Sequence, residues 1–152
     1  MGVNNYTYTG EALTASFEGR KYQAYQDSRG TWTIGVGHTG PEVHEGLVWT
    51  DSQIDSAFLA DSQWAQDVVN KEVTVVISQD ESNALVDLLF NIGSGNFDSS
   101  TLLRELNAGQ SEDAAQEFDK WDRSGGQVLA GLLRRRQAET ALFEQGESFI
   151  SG

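Results

Sequence analysis

Apolar residues recur along most of the chain at the three- and four-residue spacing of a helix, and one early stretch breaks into the two-residue alternation of a strand. Thr50-Asp51-Ser52-Gln53 is a capping-box sequence. Ile54, Ala57, Phe58, Trp64, Ala65 and Val68 follow it and predict a helix of about twenty residues, with the aromatics read as packing. Ser78-Gln79-Asp80-Glu81 is a second capping box. It opens a helix whose Ala84, Leu85, Leu88, Leu89 and Ile92 give a wide apolar face, expected at the centre of the core and ending at Gly93. Ala12, Leu13 and Phe17 predict a shorter first helix that stops at Gly19, after a loose lead-in over residues 1–9 and with Thr9 or Thr14 as its cap. Further on, residues 96–100 read as a turn cluster, 101–107 and 111–118 as short helices parted at Gly109, and 132–143 as the last helix.

The strand pattern is confined to residues 18–38. Asp27-Ser28-Arg29-Gly30 has Asp first and Gly fourth, the signature of a tight turn between two short strands. In the second strand Trp32, Ile34 and Val36 take one face, with Trp32 read as core. Thr31 and Thr33 take the polar face, where Thr33 is expected to line a cleft. Gly35 and Gly37 remove side chains and allow a ligand or a neighbouring segment to approach the backbone. These elements predict an α+β fold with a small lobe bearing the hairpin, a long connecting helix, a larger helical lobe and a cleft between the lobes.

With 152 residues, no internal repeat and no linker, the chain is expected to be one domain over 1–152. Cysteine is absent, which excludes a disulfide framework and a thiolate metal site. The 23 acidic and 10 basic residues give a net charge of −13, which argues against nucleic acid and anionic membrane surfaces as partners. That charge is concentrated in residues 42–100, which carry −10, whereas residues 1–41 balance to zero. No apolar run approaches the length of a membrane span, and no basic-flanked apolar segment begins the chain.

Glu18 falls in the last turn of the first helix, where the helix dipole disfavours negative charge, a setting that suits a general acid. Asp27 in the turn supplies a second carboxylate and Thr33 a hydroxyl, the groups that glycoside hydrolysis uses to protonate a leaving oxygen and to activate water or stabilise the sugar cation. Taken singly, a Glu at a helix end and an Asp in a turn are more often solvated or capping residues than catalysts. Their joint occurrence with Thr33 and the glycine-histidine run makes the set. His38 reads first as a structural histidine bonded to a carboxylate, ahead of a direct sugar contact. His38 and His44 with their neighbouring acids match no standard metal spacing. Arg134, Arg135 and Arg136 open the last helix, an unfavourable place for three cations unless carboxylates face them. A solvated basic face and a functional arginine are the two readings.

Glu18, Asp27, Thr33 and Ile34-Gly35-Val36-Gly37-His38-Thr39 closely resemble the catalytic signature of the bacteriophage-type lysozymes, the endolysin muramidases. Phe90-Asn91-Ile92-Gly93, Ser100-Thr101-Leu102-Leu103, Leu106-Asn107-Ala108-Gly109, and Gly125-Gly126-Gln127-Val128-Leu129 with Gly131-Leu132-Leu133-Arg134-Arg135-Arg136 resemble the same family's later motifs, in the same order. The resemblance implies a lysozyme-like fold without metal or cofactor, and hydrolysis of the β-1,4 bond between N-acetylmuramic acid and N-acetylglucosamine in peptidoglycan. It casts Glu18, Asp27 and Thr33 as catalytic. It casts Gly35, Gly37, His38, Arg134 and Arg135 as binding or supporting the substrate cleft, which Gly125-Gly126 would border, with one arginine reaching Glu18. It further implies a monomer made in the host cytoplasm and acting in the periplasm, released by a separate holin since no signal-anchor helix is present. A catalytically idle glycan-binding or scaffolding module and a lytic transglycosylase are the alternatives.

Overall fold

The computed structural model describes the backbone of residues 8–124 and 127–151. The order is α1 (Tyr8–Glu18), β1 (Lys21–Gln26), β2 (Trp32–Gly35), β3 (His38–Thr39), α2 (Asp51–Glu72), α3 (Gln79–Ile92), α4 (Ser94–Asp98), α5 (Thr101–Asn107), α6 (Ser111–Glu117), a 3-10 turn at Phe118–Trp121, β4 (Arg123–Ser124), β5 (Gln127–Val128) and α7 (Ala130–Ser151). Two compact units result, one of Glu11–Trp64 and the other of Met1–Gly10 with Ala65–Gly152.

The first unit holds the antiparallel sheet β1-β2-β3. Its third strand is an addition to the expected hairpin. Gly35 and Gly37 have φ of +66° and +68°, which turns the chain back within three residues so that Ile34 pairs with His38 and Thr33 with Thr39. Opposite β2, strand β1 slips register between Lys21 and Tyr25. Its spare residues bond elsewhere: the Ala24 N–H donates to Leu47 O, the Trp49 N–H donates to Tyr22 O, and Gln23 bridges Val48, so residues 47–49 cover part of the open edge. Ile34, Val36, Val43, Ile54 and Phe58 are buried beneath. Helix α1 already begins at Tyr8, so Thr9 and Thr14 both fall within it and not ahead of it, and Thr14 is buried. The expected end holds: the Gly19 N–H donates to Ala15 O and Gly19 takes φ +82°.

The capping box at Thr50 opens α2, with the Thr50 N–H donating to Gln53 Oε1 at 2.9 Å and the Gln53 N–H to Thr50 Oγ1 at 3.3 Å. In the second unit the Ser78 box opens α3 with both reciprocal bonds made. Helix α3 is buried nearly all round, and its Leu85, Leu88 and Leu89 meet Phe97, Leu102, Leu106 and the Phe118–Phe143 ring pair in one core. The amide of Asn107 pins the chain after α2. It donates to Glu72 O and accepts from the Thr74 N–H, both at 2.9 Å. Residues 96–100, expected as a turn, instead contain most of α4, and the last helix, expected over 132–143, starts two residues earlier and continues to Ser151. Gly125-Gly126 lie outside the described residues.

Candidate functional site

The three candidate residues Glu18, Asp27 and Thr33 all belong to the first unit. Glu18 is the last residue of α1 and is partly exposed. Its carboxyl group lies against Gly37. A Cβ added there would meet Glu18 Oε2 at 3.0 Å and the carboxyl carbon at 3.3 Å. The segment for which Gly37 leaves room is thus the one that carries the acid. Just beyond, Arg20 is clamped to the start of α2 by 2.9 Å contacts with Asp51 and Asp55. The Tyr22 hydroxyl donates to Asp51 at 2.7 Å, so the chain leaving Glu18 has little freedom.

Asp27 holds its own turn. Its Oδ1 accepts from the N–H groups of Arg29 at 2.8 Å and Thr31 at 2.9 Å, while its backbone carbonyl accepts from Gly30 at φ +82°. One carboxylate oxygen is therefore fixed by backbone donors, and Oδ2 has no hydrogen-bond partner among the described residues. Thr33 sits on β2 as expected, but it is only 4% exposed, and its hydroxyl donates to Thr31 O at 3.0 Å. The alternation predicted an open, polar face at Thr33, whereas Thr33 is buried along with Ile34.

Tyr25 is a residue that the sequence did not single out. It pairs with Thr33 across β1 and β2, and burial, then Glu18, then Asp27 raise its phenol pKa. Glu18, just before β1, and Asp27, just after it, flank the strand that carries Tyr25.

His38 is the structural histidine expected. Nδ1 contacts Asp61 Oδ2 at 2.7 Å, Nε2 contacts Glu42 Oε1 at 2.5 Å, and the ring packs on Trp49 with centroids 5.2 Å apart. Burial is the largest single influence on His38 and lowers its pKa, but the bonds and charges of Glu42 and Asp61 together outweigh it and leave it raised. The hydrogen bond from His38 lowers the pKa of Glu42 in turn. The raised imidazole contributes stability that is complete below the usual histidine value of 6.5 and fades as pH rises through its folded value. The lowered Glu42 contributes stability that is complete above the usual carboxyl value of 4.5 and fades as pH falls through its folded value. Melting curves of His38→Asn should therefore show a Tm deficit of a few degrees that is largest between pH 4.5 and 6.5 and shrinks on the alkaline side. A deficit independent of pH would assign His38 to packing alone.

The three arginines belong to the second unit, and they divide. Arg134 is exposed. Arg135 and Arg136 are 5% and 0% exposed, so the solvated basic face does not describe them. Carboxylates do face them: Arg135 forms a two-pronged bond with Asp87 at 2.9 and 3.0 Å, and Arg136 contacts Glu139 at 2.8 and 3.0 Å. Asp87 on α3 and Glu139 on α7 are both fully buried, and neither was recognisable as an ion-pair partner before the packing of α3 on α7 was known.

Comparison with known proteins agrees with this architecture. Residues 15–139 match the Phage lysozyme family. An endolysin of Bacillus phage B103 is 41% identical over 146 residues, covering 95% of this chain and 56% of the relative. An endolysin of Salmonella phage P22 is 41% identical over 130 residues, covering 83% of this chain and 88% of the relative. The chain thus spans little more than half the length of the Bacillus phage proteins it matches. Among solved structures, the muramidase domain of SpmX from Asticaccaulis excentricus superposes with a TM-score of 0.83 at 38% identity, covering 92% of this chain and 97% of that one. A crystal structure of a P22 lysozyme mutant superposes at 0.84 with 37% identity, covering 91% and 97%. A match of this extent, with similarity to relatives along nearly its whole length, means that the chain belongs to the phage lysozyme family.

Proposed function

We propose that this chain is an endolysin muramidase that hydrolyses the β-1,4 bond between N-acetylmuramic acid and N-acetylglucosamine in peptidoglycan. The observation that carries the reading is that residues 15–139 match the Phage lysozyme family and hold two carboxyl groups at either end of β1, Glu18 closing α1 before it and Asp27 in the turn after it. Two carboxyl groups are what glycoside hydrolysis requires. Glu18 protonates the leaving glycosidic oxygen. Asp27, oriented through Oδ1 by its turn, offers Oδ2 to the attacking water or to the oxocarbenium ion. Thr33, whose proton is committed to Thr31 O, keeps oxygen lone pairs with which to accept from that water. Gly37 leaves the space in which the Glu18 carboxyl is held, and Gly35 and His38 shape the hairpin around it. No step calls for a metal or cofactor.

The wider reading is that the enzyme acts as a monomer, is made in the host cytoplasm and reaches the periplasmic wall through a lesion made by a separate holin. Arg134 and Arg135 are proposed to support substrate binding, Arg135 through the α7 position that its Asp87 pair fixes. No helix among the described residues is long and apolar enough to cross a membrane.

Assays of reducing ends released from purified peptidoglycan test the reading through Asp27 and Thr33. Asp27→Ala should lower turnover by on the order of a hundredfold, the upper part of which reflects loss of an oriented base. Thr33→Val keeps the β-branched shape and should lower the rate by about tenfold or more, while the loss of one hydrogen bond, about 1 kcal/mol, takes only a few degrees from Tm. Unchanged rates in a destabilised Thr33→Val protein would reduce Thr33 to a structural strand residue.

A further inference from the structure

Tyr25 has no part in the chemistry assigned above, yet its setting is that of a sugar contact. It stands opposite Thr33 in the register of β1 with β2, and Thr33 stands opposite Thr39 on β3. Directly opposed residues of antiparallel strands present their side chains on one face, so the phenol and the candidate catalytic hydroxyl share a face of the sheet. The side chain is partly buried, while its hydroxyl has no hydrogen-bond partner among the described residues. Buried tyrosine hydroxyls ordinarily find a partner, so a half-buried ring with an uncommitted O–H combines an apolar surface with an available donor. Sugar rings present the matching pair of features, apolar C–H faces edged by hydroxyl and carbonyl oxygens. The burial and the two carboxylates that raise the phenol pKa also keep it protonated, and hence a donor, through neutral pH and beyond.

We infer that Tyr25 is a substrate-positioning residue whose hydroxyl donates a hydrogen bond to an oxygen of the sugar that Glu18 and Asp27 act upon. This assignment rests on the glycosidase reading and extends it to the recognition of the substrate. The bond is present in the bound ground state as well as during reaction, so its removal acts on binding before it acts on turnover.

The test uses an uncharged chitooligosaccharide as the probe and the full chain with Glu18→Gln to prevent turnover. Calorimetric titration of Glu18→Gln and of Glu18→Gln/Tyr25→Phe should give dissociation constants that differ by roughly two- to tenfold, the range expected for one neutral hydrogen bond, with no change in Tm. In the otherwise native enzyme Tyr25→Phe should raise KM by a similar factor with a smaller change in kcat. Tyr25→Leu, which also removes the ring, should bind more weakly still. A merely structural tyrosine would instead lower Tm and leave affinity and KM alone. An oligosaccharide that binds equally to both proteins, or to neither, overturns the assignment. Native enzyme that fails to cleave peptidoglycan would sink the glycosidase reading separately, because the titration reads Tyr25 without any turnover.

Discussion

Glu18→Gln leaves the fold intact and lowers peptidoglycan hydrolysis by on the order of a hundredfold or more, the usual contribution of a positioned general acid. The amide is nearly isosteric with the carboxyl group, so it occupies the same space against Gly37, where a Cβ would meet the acid at 3.0 Å. It makes no new demand on the end of α1, which is closed by the Gly19 N–H bond to Ala15 O. What it lacks is an acidic proton for the departing glycosidic oxygen. The change is therefore expected in kcat, with circular dichroism and Tm close to those of the native protein and with binding of an uncharged oligosaccharide retained. Near-normal lysis by a well-folded Glu18→Gln protein would remove the assigned acid.

The largest effect on stability is expected in the second unit. Arg135→Met should lower stability by about 3–5 kcal/mol, the usual consequence of removing one member of a buried ionic group, and hence lower Tm by roughly 6–20 °C. Arg135 spans both oxygens of Asp87, and its Nε also lies 3.9 Å from Glu139 Oε2. Without the guanidinium, Asp87 and Glu139 face each other in a region fully shielded from water, with Arg136 as the nearest remaining cation of the cluster. Burial, with Asp87 adding to it, already pushes the Glu139 carboxyl well up. The cluster therefore has little tolerance for losing positive charge. Arg135→Lys keeps the charge but loses the planar fork that meets both Asp87 oxygens, so it should fall between the two in a thermal melt. A loss below 1 kcal/mol in Arg135→Met, about the size of a surface pair, would mean that the cluster opens to water.

Local signals in the sequence were reliable where a few neighbouring residues decide the structure. The Thr50 and Ser78 capping boxes, the helix stop at Gly19, the Asp27 turn and the bounds of α5 are fixed by bonds within three or four residues, and all were legible. Features set by distant partners were not. Gly35 and Gly37 were recognised as points of close approach, yet the two-residue strand β3 exists only because β2 lies beside it. Asp87 and Glu139 carry no mark in the local sequence and become ion-pair partners only where α7 packs on α3. Thr33 was expected on an open polar face, but it is 4% exposed, and burial is a property of the folded environment that strand alternation does not encode. Tyr25 was visible in principle. It lies two residues before Asp27 in a strand and aligns with Thr33, but the slip in β1 between Lys21 and Tyr25 hides that alignment from the sequence.

The most direct test of the two-carboxylate hydrolysis assigned to Glu18 and Asp27 is mass spectrometry of purified peptidoglycan digested by the native chain in water enriched in heavy oxygen. Hydrolysis with Glu18 as acid predicts muropeptides ending in reducing N-acetylmuramic acid that carries one solvent oxygen, and their near-absence from a Glu18→Gln digest. Anhydro-muramic ends without solvent oxygen, or an undigested wall in contact with folded native protein, would contradict it.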